Sequence, residues 1–316
     1  MWTPTSPVTG TPSSPEAGHE HGTDHRRAGG IGKQTAITLA RQGWRVHVSG
    51  RDATSGADAV RQIAATSDSD SVRLLLGDLS TRSGVRAVAL AFQELELSLD
   101  VLINNAGLAA PELRHTMDGL EYDAAVNVMA PFLLTTLLWP TLLTSSSARV
   151  VTLTGGSHPT QIDLGNLQAE QSFSGLATYS HAKVIMMAVM REYAERTRTT
   201  GITVNVCYPG QARTKMTGSV TAGMLPVAMR PLWPVFRFVT RPDDGSSAAK
   251  ASRSSVYLAT SSDVPGRTGL YVDKHCEEVA WPSAVDDPDL RRRLFAIAEE
   301  WAQFSATASG STHDLT

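Results

Sequence analysis

Apolar and polar positions follow two different periods along most of this chain. The stretch KQTAITLARQGW repeats at helical spacing and is closed by Gly43, a residue suited to the left-handed position after a helix. Residues Arg45 to Asp52 alternate like a strand running into a loop. A helix is predicted over 53–67, an apolar strand over Val72–Leu76, and a further helix over 82–97. Val101-Leu102-Ile103 reads as a buried strand that leads into Asn104-Asn105-Ala106-Gly107. A long helix from about 119 to 143 carries Asn127 and is interrupted near Pro131, and Val150–Leu153 is again a strand. The next helix holds Tyr179 and runs to about 197, and Ile202–Cys207 is a strand ending at Tyr208-Pro209-Gly210. Residues 246–260 read as helical and Gly269–Asp273 as a last strand. Asp287-Pro288 opens a final helix, with Asp as N-cap and Pro in the first turn.

This alternation predicts an α/β fold, a doubly wound parallel sheet with helices on both faces, in one domain over residues 26–304. In such sheets ligands sit outside the carboxyl ends of the strands. The Gly-, Asn- and Asp-bearing stretches all fall at those ends. Residues 1–25, rich in Pro, Ser, Thr and Gly, read as a disordered tail, and 305–316 as a second flexible end. His19, His21 and His25 in that tail have no fixed geometry around them, so no metal site is expected. Residues 215–250 hold large apolar residues split by prolines. They are read as a lid over an apolar pocket, because the prolines prevent a long membrane-lying helix.

Composition narrows the function classes. The formal net charge of −3 gives no basis for binding nucleic acid. Two cysteines, Cys207 and Cys276, make neither a disulfide framework nor a zinc site and suit a reducing cytoplasm. No run of 18 or more apolar residues predicts a membrane span.

The candidate chemistry centres on Thr178-Tyr179-Ser180-His181-Ala182-Lys183. Tyr179 and Lys183 are four residues apart, which places both on one helix face. A neighbouring ammonium favours phenolate and lowers the pKa of a phenol from about 10, so the pair suits general acid–base work. Gly29-Gly30-Ile31-Gly32 precedes a helix whose first N–H groups suit a pyrophosphate.

The ordered set Gly30-Ile31-Gly32, Asp78-Leu79, Asn104-Asn105-Ala106-Gly107, Asn127, Tyr179-x-x-x-Lys183 and Pro209-Gly210 with Thr214 resembles the short-chain dehydrogenase/reductase family, with its Rossmann-type fold. Ala130-Pro131-Phe132-Leu133-Leu134-Thr135, Ser157-His158 and Phe173-Ser174-Gly175-Leu176 resemble its retinol-dehydrogenase-like branch. The resemblance implies hydride transfer between a nicotinamide and an apolar alcohol, aldehyde or ketone. It makes Tyr179 the acid/base, with Lys183, Asn127 and a serine hydroxyl as its partners. It assigns Gly30, Ile31, Gly32, Asp78, Leu79, Asn105, Ala106, Gly107, Pro209, Gly210 and Thr214 to the cofactor, and it suggests a dimer or tetramer packed through the helices of Asn127 and Tyr179. Each residue also has a structural use, as a turn, cap or packing group. At the end of the second strand stands Ser49-Gly50-Arg51 in place of a carboxylate. Gly50 leaves room and Arg51 offers a phosphate-binding fork, so NADP(H) is expected over NAD(H).

The chain departs from the family twice. The positions before Gly30 hold His25 and Arg26, with no apolar run upstream, so the first strand is expected to be atypical or missing. Val8-Thr9-Gly10 has the family's strand ending but lies far from Gly30. Where the family places its serine after the fifth strand, this chain has Gly155, flanked by Thr154 and Ser157 as substitute hydroxyls. These departures support a rival expectation, a folded binding protein without catalysis.

Overall fold

Neighbouring residues of a strand send their side chains to opposite faces, and this period divides the core in two. The structure is a computed structural model that describes residues 8–10, 30–95, 97–156, 158–212, 221–224, 231, 233–234 and 245–303. Its strands are β1 (Val8–Gly10), β2 (Val46–Gly50), β3 (Val72–Leu76), β4 (Val101–Asn104), β5 (Arg149–Leu153), β6 (Thr203–Cys207) and β7 (Tyr271–Val272). Its helices are α1 (Ile31–Arg41), α2 (Ala53–Ser67), α3 (Arg82–Gln93), α4 (Tyr122–Leu142), α5 (Gly175–Arg196), α6 (Ser246–Ala251), α7 (Arg253–Thr260) and α8 (Pro288–Ala302). On one face Leu102 and Val150 pack with Phe92 of α3, Leu133 of α4, Met187 of α5 and Phe295 of α8. On the other, Val101, Ile103 and Val151 pack with Ile37 and Leu39 of α1, Ile63 of α2 and Leu258 of α7. Each such fully buried side chain contributes about 1.5–3 kcal/mol.

The seven strands lie in the order β3-β2-β1-β4-β5-β6-β7. The pairings β2–β3, β4–β5, β5–β6 and β6–β7 are parallel, as the alternation predicted. The first strand is atypical, as expected. Val8–Gly10, within the stretch read as a disordered tail, fills the central slot and runs antiparallel to both β2 and β4. Val8 pairs with Ile103 and Gly10 with Val101, so this strand ends at the amino edge of β4. It therefore completes the backbone ladder between β2 and β4 but ends at the edge opposite Gly30, which opens α1 at the carboxyl edge.

Local signals explain most element ends. Gly43 takes φ 83 just past α1, where only a residue without Cβ is at ease. Asp52 caps α2 through Ser55 N, Thr81 caps α3 through Gly84 N, and Asp287 caps α8 through Asp289 N. The α3 helix stops at Gln93, short of the expected 97. The interruption expected at Pro131 is a widened π turn over Ala125–Met129 within a continuous helix. Proline has no N–H to donate, and the ladder changes step in the turn before it.

The 21-residue α4 is long and apolar enough to cross a membrane, yet 83% of its apolar window is buried inside the protein, so it reads as a core helix. The outer side of α4 and α5 is covered by α8. Phe295 meets Phe132 at 5.1 Å and Tyr193 at 5.6 Å between ring centroids. The helices expected to carry a subunit interface are thus covered on this side by the chain's own last helix. Most of the expected lid lies outside the described residues. Its Ala222–Met224 turn packs Met224 against Gly175 at the start of α5.

Candidate active site

The site forms at the carboxyl edge of β4, β5 and β6, where α5 passes the loop after β5. Helical spacing brings Tyr179 and Lys183 to one face of α5, one turn apart, as their separation predicts. Lys183 is 4% exposed, and its Nζ donates to the Leu153 carbonyl at 3.1 Å. Tyr179 is partly buried, and its ring edge and hydroxyl lie over Gly155. A Cβ built on that glycine would stand 3.2 Å from Tyr179 Oη.

Asn127 sits in the π turn of α4, a distortion frequent at functional sites. It closes a reciprocal clasp on the loop after β4: Leu108 N donates to its Oδ1 at 3.2 Å, and its Nδ2 donates to Leu108 O at 3.0 Å. Gly107 lies between the two helices. A Cβ there would come within 3.0 Å of Lys183 Nζ and 3.1 Å of Asn127 Oδ1, so the glycine keeps open a cradle lined by both.

Beneath Asn127 lies Asp123, fully buried, which sequence reasoning missed. Its Oδ2 accepts from Ala110 N at 3.1 Å and its Oδ1 from Asn127 Nδ2 at 3.3 Å. Burial first, then the charge of Glu121, push the Asp123 carboxyl up to about 7. Burial lowers Lys183 to about 8 against the opposing pull of Asp123. Tyr179 departs from the expectation of a lowered pKa. Burial, then Asp123 and Tyr208, raise it above its ordinary value, so the phenol stays protonated at neutral pH. Desolvation sets the direction, and the Lys183 ammonium donates to the Leu153 carbonyl.

The residues assigned to the cofactor divide into three groups. Gly30 opens α1 without a side-chain cap, and helix geometry leaves the N–H groups of Ile31 and Gly32 outside the internal ladder. A Cβ on Gly32 would stand 2.5 Å from Asn105 Nδ2, so the first turn of α1 approaches the end of β4 closely. These N–H groups and the Gly107 cradle fit a dinucleotide: an anion-binding helix end at one side and an ammonium with an amide at the other. In the second group, Asp78 accepts from Ser80 N at 2.9 Å through Oδ1 alone. Leu79 and Ala106 line a small cleft with Asn104 and Pro131. Arg51 is exposed past the buried Ser49 and Gly50. Pro209 is buried, and Gly210 turns at φ 80 beside Lys274. Thr214, the third group, lies outside the described residues, as do Gly29 and the candidate catalytic hydroxyl of Ser157. Asn104 is an interior tie, donating to the Thr135 and Thr152 hydroxyls at 3.1 and 3.2 Å.

Thr154, the other flanking hydroxyl, is 4% exposed, and its Oγ1 has no hydrogen-bond partner among the described residues. Tyr208, just past β6, brings its hydroxyl to Gly156, where a Cβ would stand 2.5 Å away. Beyond it, His158 Nε2 and Tyr271 Oη are 3.2 Å apart, and the ring of Trp281 lies 5.4 Å from that of Tyr271. Only the fold brings Tyr208, His158 and Tyr271 together.

Known proteins are similar to this chain in sequence and in fold. The family model described as short chain dehydrogenase matches residues 27–224. Retinol dehydrogenase 14 of Mus musculus is 33% identical over 283 residues, covering 85% of this chain and 82% of its own. Retinol dehydrogenase 11 of Mus musculus is 33% identical over 272 residues, with the same coverage of 85% and 82%. The crystal structure of an uncharacterised protein from Mycobacterium paratuberculosis superposes with a TM-score of 0.66 at 26% identity, covering 87% of this chain and 90% of that one. Actinorhodin polyketide ketoreductase, solved with NADPH, shares the fold at a TM-score of 0.58 and 19% identity, covering 82% of this chain and 94% of its own. The chain therefore belongs to the short-chain dehydrogenase/reductase family, in its retinol-dehydrogenase-like branch, and is an NAD(P)-dependent oxidoreductase that acts by hydride transfer.

Proposed function

We propose that this enzyme reduces an apolar aldehyde or ketone with NADPH, with Tyr179 as the proton donor. The observation that carries the reading is the position of Tyr179 Oη over Gly155, one helical turn from the Lys183 that lines the Gly107 cradle with Asn127. The nicotinamide supplies the hydride when bound, and the chain supplies orientation and the proton. Residues Ile31, Gly32, Asn105 and Gly107 would hold the cofactor, with Lys183 beside its nicotinamide end. Tyr179 keeps its phenol neutral at physiological pH, so the reductive direction uses the site as it stands. Lys183 presents its ammonium where negative charge develops on the phenol. Asn127 fixes the loop at Leu108, so Gly107 stays beside Lys183.

The aromatic surface of Tyr208, Tyr271 and Trp281 supports an apolar substrate, and the retinol dehydrogenases similar to this chain make retinal the first aldehyde to test. The free thiols of Cys207 and Cys276 support a cytoplasmic setting. Purified protein will bind NADPH in the micromolar range and consume it with retinal. Failure of retinal and a panel of apolar aldehydes and ketones to be reduced would overturn the reading.

The choice of NADPH over NADH rests on Arg51, exposed at the end of β2, where the neighbouring Asp52 carboxylate is turned to capping α2 through Ser55 N. Hydrogen bonds to a charged group contribute about 1.5–3 kcal/mol, so Arg51→Ala will weaken NADPH binding about tenfold or more. Binding of NADH will stay within about twofold. Equal losses for both cofactors in a fluorescence titration would remove Arg51 from this role.

A further inference from the structure

We infer that Tyr208 donates a second hydrogen bond to the substrate oxygen, in the role that family members give to the serine absent at Gly155. This rests on the reading of Tyr179 as the proton donor. The observations are geometric. Strand β6 pairs with β5 in the register Leu153 to Cys207, and Thr154 N donates to the Cys207 carbonyl at 2.9 Å. Tyr208 therefore leaves its strand beside the Gly155-Gly156 turn. Cβ atoms built on these consecutive glycines would stand 3.2 Å from Tyr179 Oη and 2.5 Å from Tyr208 Oη. The two phenols thus lie over adjacent residues of one loop. A side chain at 156 would displace the second phenol, whereas the missing side chain at 155 leaves space in front of the first.

Neither hydroxyl has a hydrogen-bond partner among the described residues. The other tyrosines of this half of the core do: Tyr193 Oη pairs with Thr136 at 3.4 Å, and Tyr271 Oη with His158 at 3.2 Å. Tyr208 also adds to the rise in proton affinity of Tyr179, which requires the two groups to be close. A carbonyl oxygen has two lone pairs and accepts two donors. Tyr179 gives its proton along one of them. Tyr208, whose phenol is held above its ordinary pKa by burial, keeps its proton and polarises the C=O bond along the other. The glycine pair thereby exchanges a short serine donor for a long phenol donor.

The test compares Tyr208→Phe, Gly155→Ser, the double variant and Tyr179→Phe in the full chain, with NADPH and retinal. Removing one oxyanion donor costs about 100-fold or more in turnover where it acts alone, and about 10- to 100-fold is expected here for Tyr208→Phe. The loss should fall on kcat, with NADPH affinity within about twofold of wild type. Gly155→Ser should recover about tenfold in the Tyr208→Phe background and change the wild type little, since its donor position is already filled. A binding readout accompanies the kinetics. In the complex with NADPH, wild type should hold retinol more tightly than anhydroretinol, which lacks the hydroxyl, and Tyr208→Phe should lose about fivefold of that preference. If Tyr208→Phe keeps turnover and the retinol preference within twofold while Tyr179→Phe abolishes turnover, this inference fails and the proposed function stands. If Tyr179→Phe also leaves turnover intact, or wild type reduces no aldehyde, the proposed function fails and the inference falls with it.

Discussion

Tyr179→Phe will lower aldehyde reduction by about 100- to 10,000-fold, the range for loss of a positioned general acid. The substitution removes one oxygen from a ring that keeps its place on α5, one turn into the helix. No hydrogen bond among the described residues is lost with that oxygen, so the melting temperature will stay within a few degrees. NADPH will still bind, because the helix end at Gly30 and the cradle at Gly107 are untouched. The pH profile adds a check. Burial, Asp123 and Tyr208 keep the Tyr179 phenol protonated well into alkaline solution. The first loss of positive charge near it is that of Lys183, at about 8. Wild-type reduction should therefore decline as pH rises through about 8, and the residual rate of Tyr179→Phe should not. A variant that retains a third of wild-type turnover would show that the proton comes from elsewhere.

Much of this site was legible from spacing alone. Gly43, Asp287 and the strand ends at Asn104 and Cys207 are local signals, written within one or two turns of the chain. The Tyr179–Lys183 pair is equally local, since four residues on a helix fix its face. Three features were not local. The antiparallel β1 is three residues long and sits among Pro, Ser and Gly, where no period of apolar residues marks a strand. Asp123 on a helix pattern reads as a solvated charge, and only the fold brings the Ala110 N–H and Asn127 around it. The phenol of Tyr208 meets Gly156 only because β5 and β6 are neighbours, a pairing of residues about fifty positions apart. The Tyr179 pKa shows the same limit. Proximity in sequence named its cation, but burial and two partners distant in sequence set its direction.

Asp123→Asn will change how stability depends on pH. An ordinary carboxylate that is paired in the folded state strengthens the fold as pH rises. Asp123 does the opposite, because burial and Glu121 raise it to about 7 from 3.8. Between those values the folded chain keeps a proton that the unfolded chain has released. The stabilisation is therefore full below about 4 and is lost as pH rises through about 7, at about 1.4 kcal/mol per pH unit. Above 7 both states are ionised and the dependence ends. Its near neighbours are Glu121, buried with Oε1 unpartnered among the described residues, Lys183 and Tyr179. Asparagine keeps the shape and an acceptor for Ala110 N but carries no titrating proton. Urea unfolding at pH 5 and pH 8 should show wild type losing about 3 kcal/mol more than Asp123→Asn between the two conditions. The function moves with it. Asp123 supports the ammonium of Lys183, so its loss should carry the alkaline decline of reduction below pH 8. Parallel stability curves for the two proteins would mean that Asp123 is ionised throughout. The buried carboxylate would then act on Lys183 as a fixed charge and not as a group that titrates near neutrality.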